Sequence, residues 1–309
     1  MKEKKFDLVQ WSIEILDKFS ILNNYPENTI SEVIKAFWLD NKEFGGQSTF
    51  SFKYMESPQS DFEKGCKTLG DSLIEGYTKF TTKVEKGRKV RDNFISEYFS
   101  NSNTNRCQFC GQFLEFSGKV EGKITADLEH ILPKSKFPQF ALHPNNLVPC
   151  CLECNQREKG DKFFDNLEDF NKALEELNIK MKNRPLELYK KFIFRYNENL
   201  ELECSIKNKS KAMEFIKLYG LDTRYKKMLG QCFSMLLTQI RIAKISDLEA
   251  LERFLEHQLQ LSFTEYKDAP SFNNSPHLWQ DFLNEILYCK ARLEALWDEV
   301  KDNNIRFFE

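Results

Sequence analysis

Cys107-Gln108-Phe109-Cys110 and Cys151-Leu152-Glu153-Cys154-Asn155 bracket the stretch on which the reading of this 309-residue chain turns. Between them lie Asp127-Leu128-Glu129-His130 and Asn146. Cysteines two residues apart in a tight turn present both thiolates to one tetrahedral ion, and two such knuckles complete a four-cysteine set. Cys107, Cys110, Cys151 and Cys154 are therefore the expected ligands of a zinc ion. The span from Cys110 to Cys151 is longer than a simple zinc ribbon allows, so a further structure is folded inside the clip. Four thiolates close the coordination shell, which makes this zinc a staple and leaves catalysis to another site. Cys150 and Cys151 are adjacent, and either could pair with Cys154. The two-residue gap favours Cys151 and leaves Cys150, after Val148-Pro149, as a small buried hydrophobe.

The second site lies within the clip. Residues 124–131 read as a short strand that Pro133 ends. Period two puts Asp127 and Glu129 on one face and Leu128 and His130 on the other, unless the strand bends at His130. A lone histidine is more often structural than catalytic. Here a carboxylate able to ligate a metal stands directly beside a group that titrates near neutrality. Phosphodiester hydrolysis needs that pairing, because water must lose a proton while a cation meets the charge developing on phosphate. Asn155, directly after a zinc cysteine, offers a neutral oxygen ligand on a rigid framework.

At these residues the chain resembles the HNH endonucleases, the ββα-metal family. The resemblance runs through Cys107-Gln108-Phe109-Cys110, Leu128-Glu129-His130-Ile131-Leu132-Pro133-Lys134-Ser135, Asn145-Asn146-Leu147-Val148-Pro149 and residues 151–160, and covers about a fifth of the chain. It implies that Glu129 and Asn155 hold one catalytic divalent ion of the Mg2+ or Mn2+ type. It further implies that His130 activates water and that Asn146 braces the loop carrying His130. Glu129 departs from the more frequent Asp of the family. Asp127, two residues upstream, either assists at the metal or is simply solvated. His143, in Ala141-Leu142-His143-Pro144, reads as a loop histidine.

Composition bounds the remainder. With 41% hydrophobic and 14% aromatic residues the chain is expected to be globular, and at 309 residues it is long enough for two or three domains with their own cores. Aromatic residues at helical spacing read as core. No long apolar run suggests a membrane span, and Met1-Lys2-Glu3-Lys4-Lys5-Phe6 leads into an amphipathic pattern, so the expected location is the cytoplasm. Nine cysteines, four of them assigned to zinc, suit a reducing compartment. A net charge of −2 does not advertise nucleic-acid binding, so any phosphate-binding charge must be concentrated locally. Lys134, Lys136, Arg157, Lys159 and Lys162, which the motif brings around the site, are the expected substrate-binding set. A second basic run spans Lys79, Lys83, Lys86, Arg88, Lys89 and Arg91. No phosphate-cradling glycine loop is visible, which argues against an NTPase in this chain.

The expected fold is mainly α, with helical N- and C-terminal regions flanking a small zinc-stapled ββα-metal core. The divisions are residues 1–100, 101–168 and 169–309, and the polar run 100–105 is the clearest boundary. Leu8, Trp11, Ile15 and Phe19 recur at helical spacing. Thr29-x-x-Glu32 reads as a capping box, residues 50–54 as a short strand, and 61–99 as helical. After the site, 164–188 reads as helix. Phe192, Phe194 and Tyr196 form a hairpin with Leu200, Leu202 and Cys204. Helices follow over 210–219, 222–243, 247–261 and 279–300.

A second resemblance, in Phe192-Ile193-Phe194, residues 212–222 and Lys134-Ser135-Lys136-Phe137-Pro138, is to nucleases of bacterial anti-phage systems, including the Septu-type nuclease subunit that accompanies an ATPase. It implies a defence role and an ATPase or sensor partner. The expected activity is one-metal hydrolysis of DNA, and the resemblance to the HNH family implies 5′-phosphate and 3′-hydroxyl ends. One site cuts one strand, so a double-strand break needs a second copy, as in a homo-oligomer, or a second visit. The alternatives are a ribonuclease acting on structured RNA such as tRNA, or an inactive zinc-stapled nucleic-acid-binding or adaptor module.

Overall fold

A computed structural model describes residues 19–46, 49–85, 88–100, 105–114, 126–181, 186–197, 202–264 and 276–305. The described structure is mainly helical. Contacts divide the chain into two compact units, residues 1–109 with 114–187, and residues 110–113 with 188–309.

The first unit begins with helices α1 (Glu27–Lys42) and α2 (Asp61–Thr82). Helix α2 starts where Ser60 and Glu63 form a reciprocal capping box. The Glu63 amide donates to Ser60 Oγ at 3.2 Å and the Ser60 amide to Glu63 Oε2 at 3.0 Å. Its buried stripe of Cys66, Leu69, Leu73 and Phe80 is interleaved with Gly65, Gly70 and Gly76. Those glycines let neighbours come close. A Cβ on Gly65 would lie 2.9 Å from Val33 of α1, and one on Gly70 would lie 2.7 Å from the Tyr54 ring and 2.8 Å from Pro138. Helix α2 is thereby seated on α1 and on the 3-10 turn Pro138–Phe140, which precedes the site.

A short strand pair, β1 (Val84–Glu85) and β2 (Arg88–Lys89), separates α2 from α3 (Val90–Phe99). Strands β3 (Asp127–His130) and β4 (Leu147–Cys150) pair antiparallel, followed by a π-helical segment (Glu153–Lys159) and helix α4 (Leu167–Glu176).

Several expectations change here. No cap forms at Thr29, because α1 already begins at Glu27 behind Pro26 and Thr29 is buried within it. Residues 50–54 form no strand. The Ser51 and Phe52 amides donate instead to the buried Asp40 carboxylate at 2.7 and 3.0 Å, and Gln139 Nε2 donates to it at 3.2 Å. A side chain thus satisfies backbone that a sheet would otherwise have used. Among the described residues of 164–188 the expected helix is confined to α4, which Asn166 caps, and Asn178 soon follows with a positive φ of 52°. The expected helix at the N-terminus and most of the 100–105 run lie outside the described residues.

In the second unit β5 (Phe194–Tyr196) and β6 (Leu202–Cys204) form the expected hairpin pair. Helices α5 (Ser210–Leu218) and α6 (Leu221–Ile242) are joined through Gly220, whose φ of 57° suits the left-handed turn. Helix α7 (Leu248–Thr264) follows, then α8 (Pro276–Leu287) and α9 (Lys290–Ile305). The last two replace the single helix expected over 279–300, with a break at Tyr288 and Cys289. Phe194 stacks on Tyr225 at 5.4 Å, and the Tyr225 hydroxyl donates to the Cys110 carbonyl at 3.0 Å. Among the described residues no helix is long and apolar enough to cross a membrane.

The glycine contacts give a paired prediction. Gly70→Ala forces a methyl group against the Tyr54 ring and Pro138 and should lower stability by about 1–3 kcal/mol in denaturant unfolding. Gly230→Ala, on an exposed stretch of α6 with nothing within 4 Å of the new methyl, should raise it by about 0.5–1 kcal/mol.

Candidate active site

The pairing of β3 with β4 sets Asp127 opposite Cys150, Leu128 opposite Pro149, Glu129 opposite Val148 and His130 opposite Leu147. Asn146 immediately precedes β4 and is fully buried. Its Oδ1 accepts from the Leu132 amide at 2.8 Å, and its Nδ2 donates to the carbonyls of Leu132 at 3.0 Å and Phe140 at 3.1 Å. The Ile131 amide donates to its carbonyl at 3.1 Å. A buried amide with its donors and acceptors used in this way has one orientation. It ties the segment after His130 to the turn that precedes β4.

His130 is buried, and its Nε2 lies 2.9 Å from the Ala141 carbonyl oxygen. A carbonyl only accepts, so Nε2 carries the proton and Nδ1 carries the lone pair. Burial pushes the imidazole pKa down to about 3, the Ala141 carbonyl opposing and the Lys134 and Lys159 charges assisting. The ring is therefore neutral across the physiological range. Tyr77 of α2 packs edge-on against it at 4.4 Å between centroids, and the Tyr77 hydroxyl donates to the Leu128 carbonyl at 3.3 Å.

Glu129 is buried beside Lys159, whose ammonium donates to Glu129 Oε1 at 2.5 Å and to the His130 carbonyl at 2.9 Å. Burial pushes the Glu129 carboxyl up to about 7, against the pull of that ammonium. Asn155 donates through Nδ2 to Asp127 Oδ2 at 3.1 Å, and Gln156 donates to the same oxygen at 2.9 Å. With its Nδ2 committed, the side-chain oxygen is the Asn155 atom suited to a cation. Asn155 and Lys159 come from the π-helical segment, where the Gly160 amide reaches back five residues to the Asn155 carbonyl at 2.9 Å. Such wider turns recur where side chains must be re-aimed. Glu129, His130, Asn155, Lys159, Lys134 and Tyr77 all line one cavity of about 390 Å3.

The cysteines converge next to this cavity's elements. The ligand atoms of Cys107, Cys110, Cys151 and Cys154 all lie within 4.8 Å of one another and could hold a zinc ion. Cys150 stands outside that set, buried, with its thiol toward the Asp127 carbonyl at 3.8 Å. The Gln108 amide of the first knuckle donates to the Pro149 carbonyl at 3.3 Å.

The basic residues divide. Lys134 lines the cavity with its ammonium 5.2 Å from the Tyr77 ring centroid, and Lys159 is buried in it. Lys136 lies over Phe163, Arg157 pairs with Glu153 at 2.8 Å, and Lys162 is exposed; none of these three lines the cavity. In the second basic run, Lys79 pairs with Glu75 at 2.6 Å and Arg91 with Asp92 at 3.4 Å, while Lys86 and the Arg88 side chain lie outside the described residues. His143 stacks on Phe44 at 4.1 Å and accepts the Asn145 amide at 3.2 Å, which is a packing role.

Sequence reasoning passed over Tyr77, which no spacing links to His130, and the Ala141 carbonyl, a backbone atom with no signature. Together the groups supply a neutral imidazole nitrogen, a buried carboxylate, an amide oxygen and two ammonium groups. The oxygen donors suit a hard divalent cation.

No protein-family model and no solved structure matches the chain. It is 25% identical over 199 residues to Protein ea31 of Escherichia phage lambda, a match covering 60% of this chain and 62% of that protein. The chain thus spans less than two thirds of the length of the relative it matches.

Two measurements check this geometry. Purified protein should carry zinc by elemental analysis, with Cys151→Ser losing it and Cys150→Ser retaining it. Asn146→Ala strands the Leu132 amide and two carbonyls in the interior and should cost about 3 kcal/mol of stability in denaturant unfolding.

Proposed function

We propose that this chain is an HNH-type endonuclease that hydrolyses the phosphodiester bonds of DNA with a divalent metal ion. The observation that carries the reading is the convergence of Glu129, His130 and Asn155 on one cavity, with the proton of His130 committed to Ala141 and its Nδ1 left as the acceptor. The order of strand, strand and helix through β3, β4 and the π-helical segment supports a ββα core, and the cysteine cluster supports a structural zinc clamping it.

In this reading the neutral imidazole of His130 takes a proton from the attacking water at Nδ1, while the Ala141 carbonyl steadies the positive ring that results. Glu129 and Asn155 are the residues that would hold Mg2+ or Mn2+, which supplies positive charge to the phosphate and leaving oxygen when bound. Lys134, at the cavity wall, draws the phosphate in by charge. Asn146 fixes the loop on which these positions depend. Attack of water on phosphorus breaks the bond to the 3′ oxygen, which leaves as a hydroxyl and keeps the phosphate on the 5′ side. A defence role in the bacterial cytoplasm, with an ATPase or sensor partner, rests on the sequence resemblance alone.

The test offers supercoiled plasmid and total RNA to the zinc-loaded protein with Mg2+ or Mn2+. Nicked plasmid with 5′-phosphate ends, abolished by chelation of the added ion, is the expected result. Cleavage of RNA alone would transfer the activity to an RNA substrate. Cleavage of neither would contradict the nuclease reading and leave a zinc-stapled binding module.

A further inference from the structure

Lys159 is the least ordinary residue at the site. Its side chain is 2% exposed, and a lysine charge is almost never buried this fully without a partner. Its partners are Glu129 Oε1 at 2.5 Å and the His130 carbonyl at 2.9 Å. The ammonium therefore sits on the carboxylate assigned above to the metal and touches the backbone of the residue assigned as base. A divalent ion taken up by the same carboxylate, even through its other oxygen, would stand close to this ammonium, and in a buried setting the two positive charges repel strongly. The ammonium and the ion therefore compete for Glu129.

The local backbone aims this side chain into the cavity. The π-helical turn brings Lys159 beside Asn155 in the same cavity. Gly160, next in the chain, has a positive φ of 50° and open space where a Cβ would stand. The cavity of about 390 Å3 gives the four-carbon stem room to turn its ammonium away from Glu129. Lys134 already marks that cavity as one where a second positive charge is tolerated.

We propose that Lys159 is a resident competitor for the divalent ion: it occupies Glu129 in the metal-free protein and must release that carboxylate before Mg2+ or Mn2+ binds. The inference rests on the metal site of the proposed function. It adds that the chain's own ammonium weakens metal affinity and keeps the buried carboxylate neutralised while no ion is present.

The experiment measures Mn2+ binding to the zinc-loaded protein by electron paramagnetic resonance, without substrate. Lys159→Met keeps the stem and removes the charge, and should tighten Mn2+ binding by about tenfold or more. Glu129→Gln should abolish it. Equal or weaker binding by Lys159→Met, with binding still lost in Glu129→Gln, would overturn the competition while sparing the metal site. Absence of Mn2+ binding in the wild type and every variant would overturn both. A second readout uses unaltered protein and so does not depend on the variant folding: amine acetylation followed by mass spectrometry, with and without Mg2+. Lys159 should be protected without the ion and become labelled when it is added; a reactivity indifferent to Mg2+ would overturn the proposal.

Discussion

The buried amide of Asn146 is the constraint on which the site's geometry depends. Its hydrogen bonds to Leu132 and Phe140 join the segment leaving β3 to the turn entering β4. Directly after Phe140 comes the Ala141 carbonyl, which selects the tautomer of His130. A loop free to drift would cost the imidazole its partner and leave either nitrogen protonated. The cysteine cluster acts on the same strands from the other direction, since the first knuckle donates to Pro149 in β4 and the second begins directly after that strand. The fixed orientation of one imidazole thus draws on an amide, a carbonyl and four thiols.

Electrostatics then decide what this rigid frame can do. Burial keeps the His130 imidazole neutral, which leaves its Nδ1 lone pair open, while the same burial weakens it as a base and the Ala141 carbonyl partly opposes that loss. Glu129 is buried equally deeply, and an isolated carboxylate there would be costly. Lys159 offsets that cost, and removing one member of such a pair typically costs about 3–5 kcal/mol because the other is left uncompensated. Beyond the cavity the charged side chains pair locally, as Lys79 does with Glu75 and Arg157 with Glu153. The near-neutral net charge and the concentration of two ammonium groups in one cavity are consistent with each other.

Much of the site was legible in the sequence because its residues are tied by short spacings. The two-residue gaps of the cysteines distinguish Cys151 from Cys150, and period two with an ending at Pro133 marks the strand that became β3. The hairpin around residues 194–204 and the helices of the second unit follow from local periodicity in the same way. What was not legible depends on distant partners. Residues 50–54 alternate like a strand, yet Asp40 takes their amides. Thr29-x-x-Glu32 has the letters of a cap, yet Pro26 starts the helix a few residues earlier, and the functioning box is Ser60 with Glu63. Tyr77 meets His130 from α2, an element far away in the sequence, and no local spacing announces that contact. Lys159 reads in the sequence as one of the substrate-binding cations around the site, and its burial against Glu129 depends on the π-helical turn, which no spacing announces.

In the proposed function His130, as a neutral base beside Glu129 and Asn155, drives metal-dependent cleavage. Plasmid nicking by the wild type beside His130→Ala, both with zinc content and folding confirmed, tests it most directly. Cleavage is expected with Mg2+ or Mn2+ in the wild type and should disappear in the variant. Equal cleavage by both proteins would contradict it and move the chemistry to a different group.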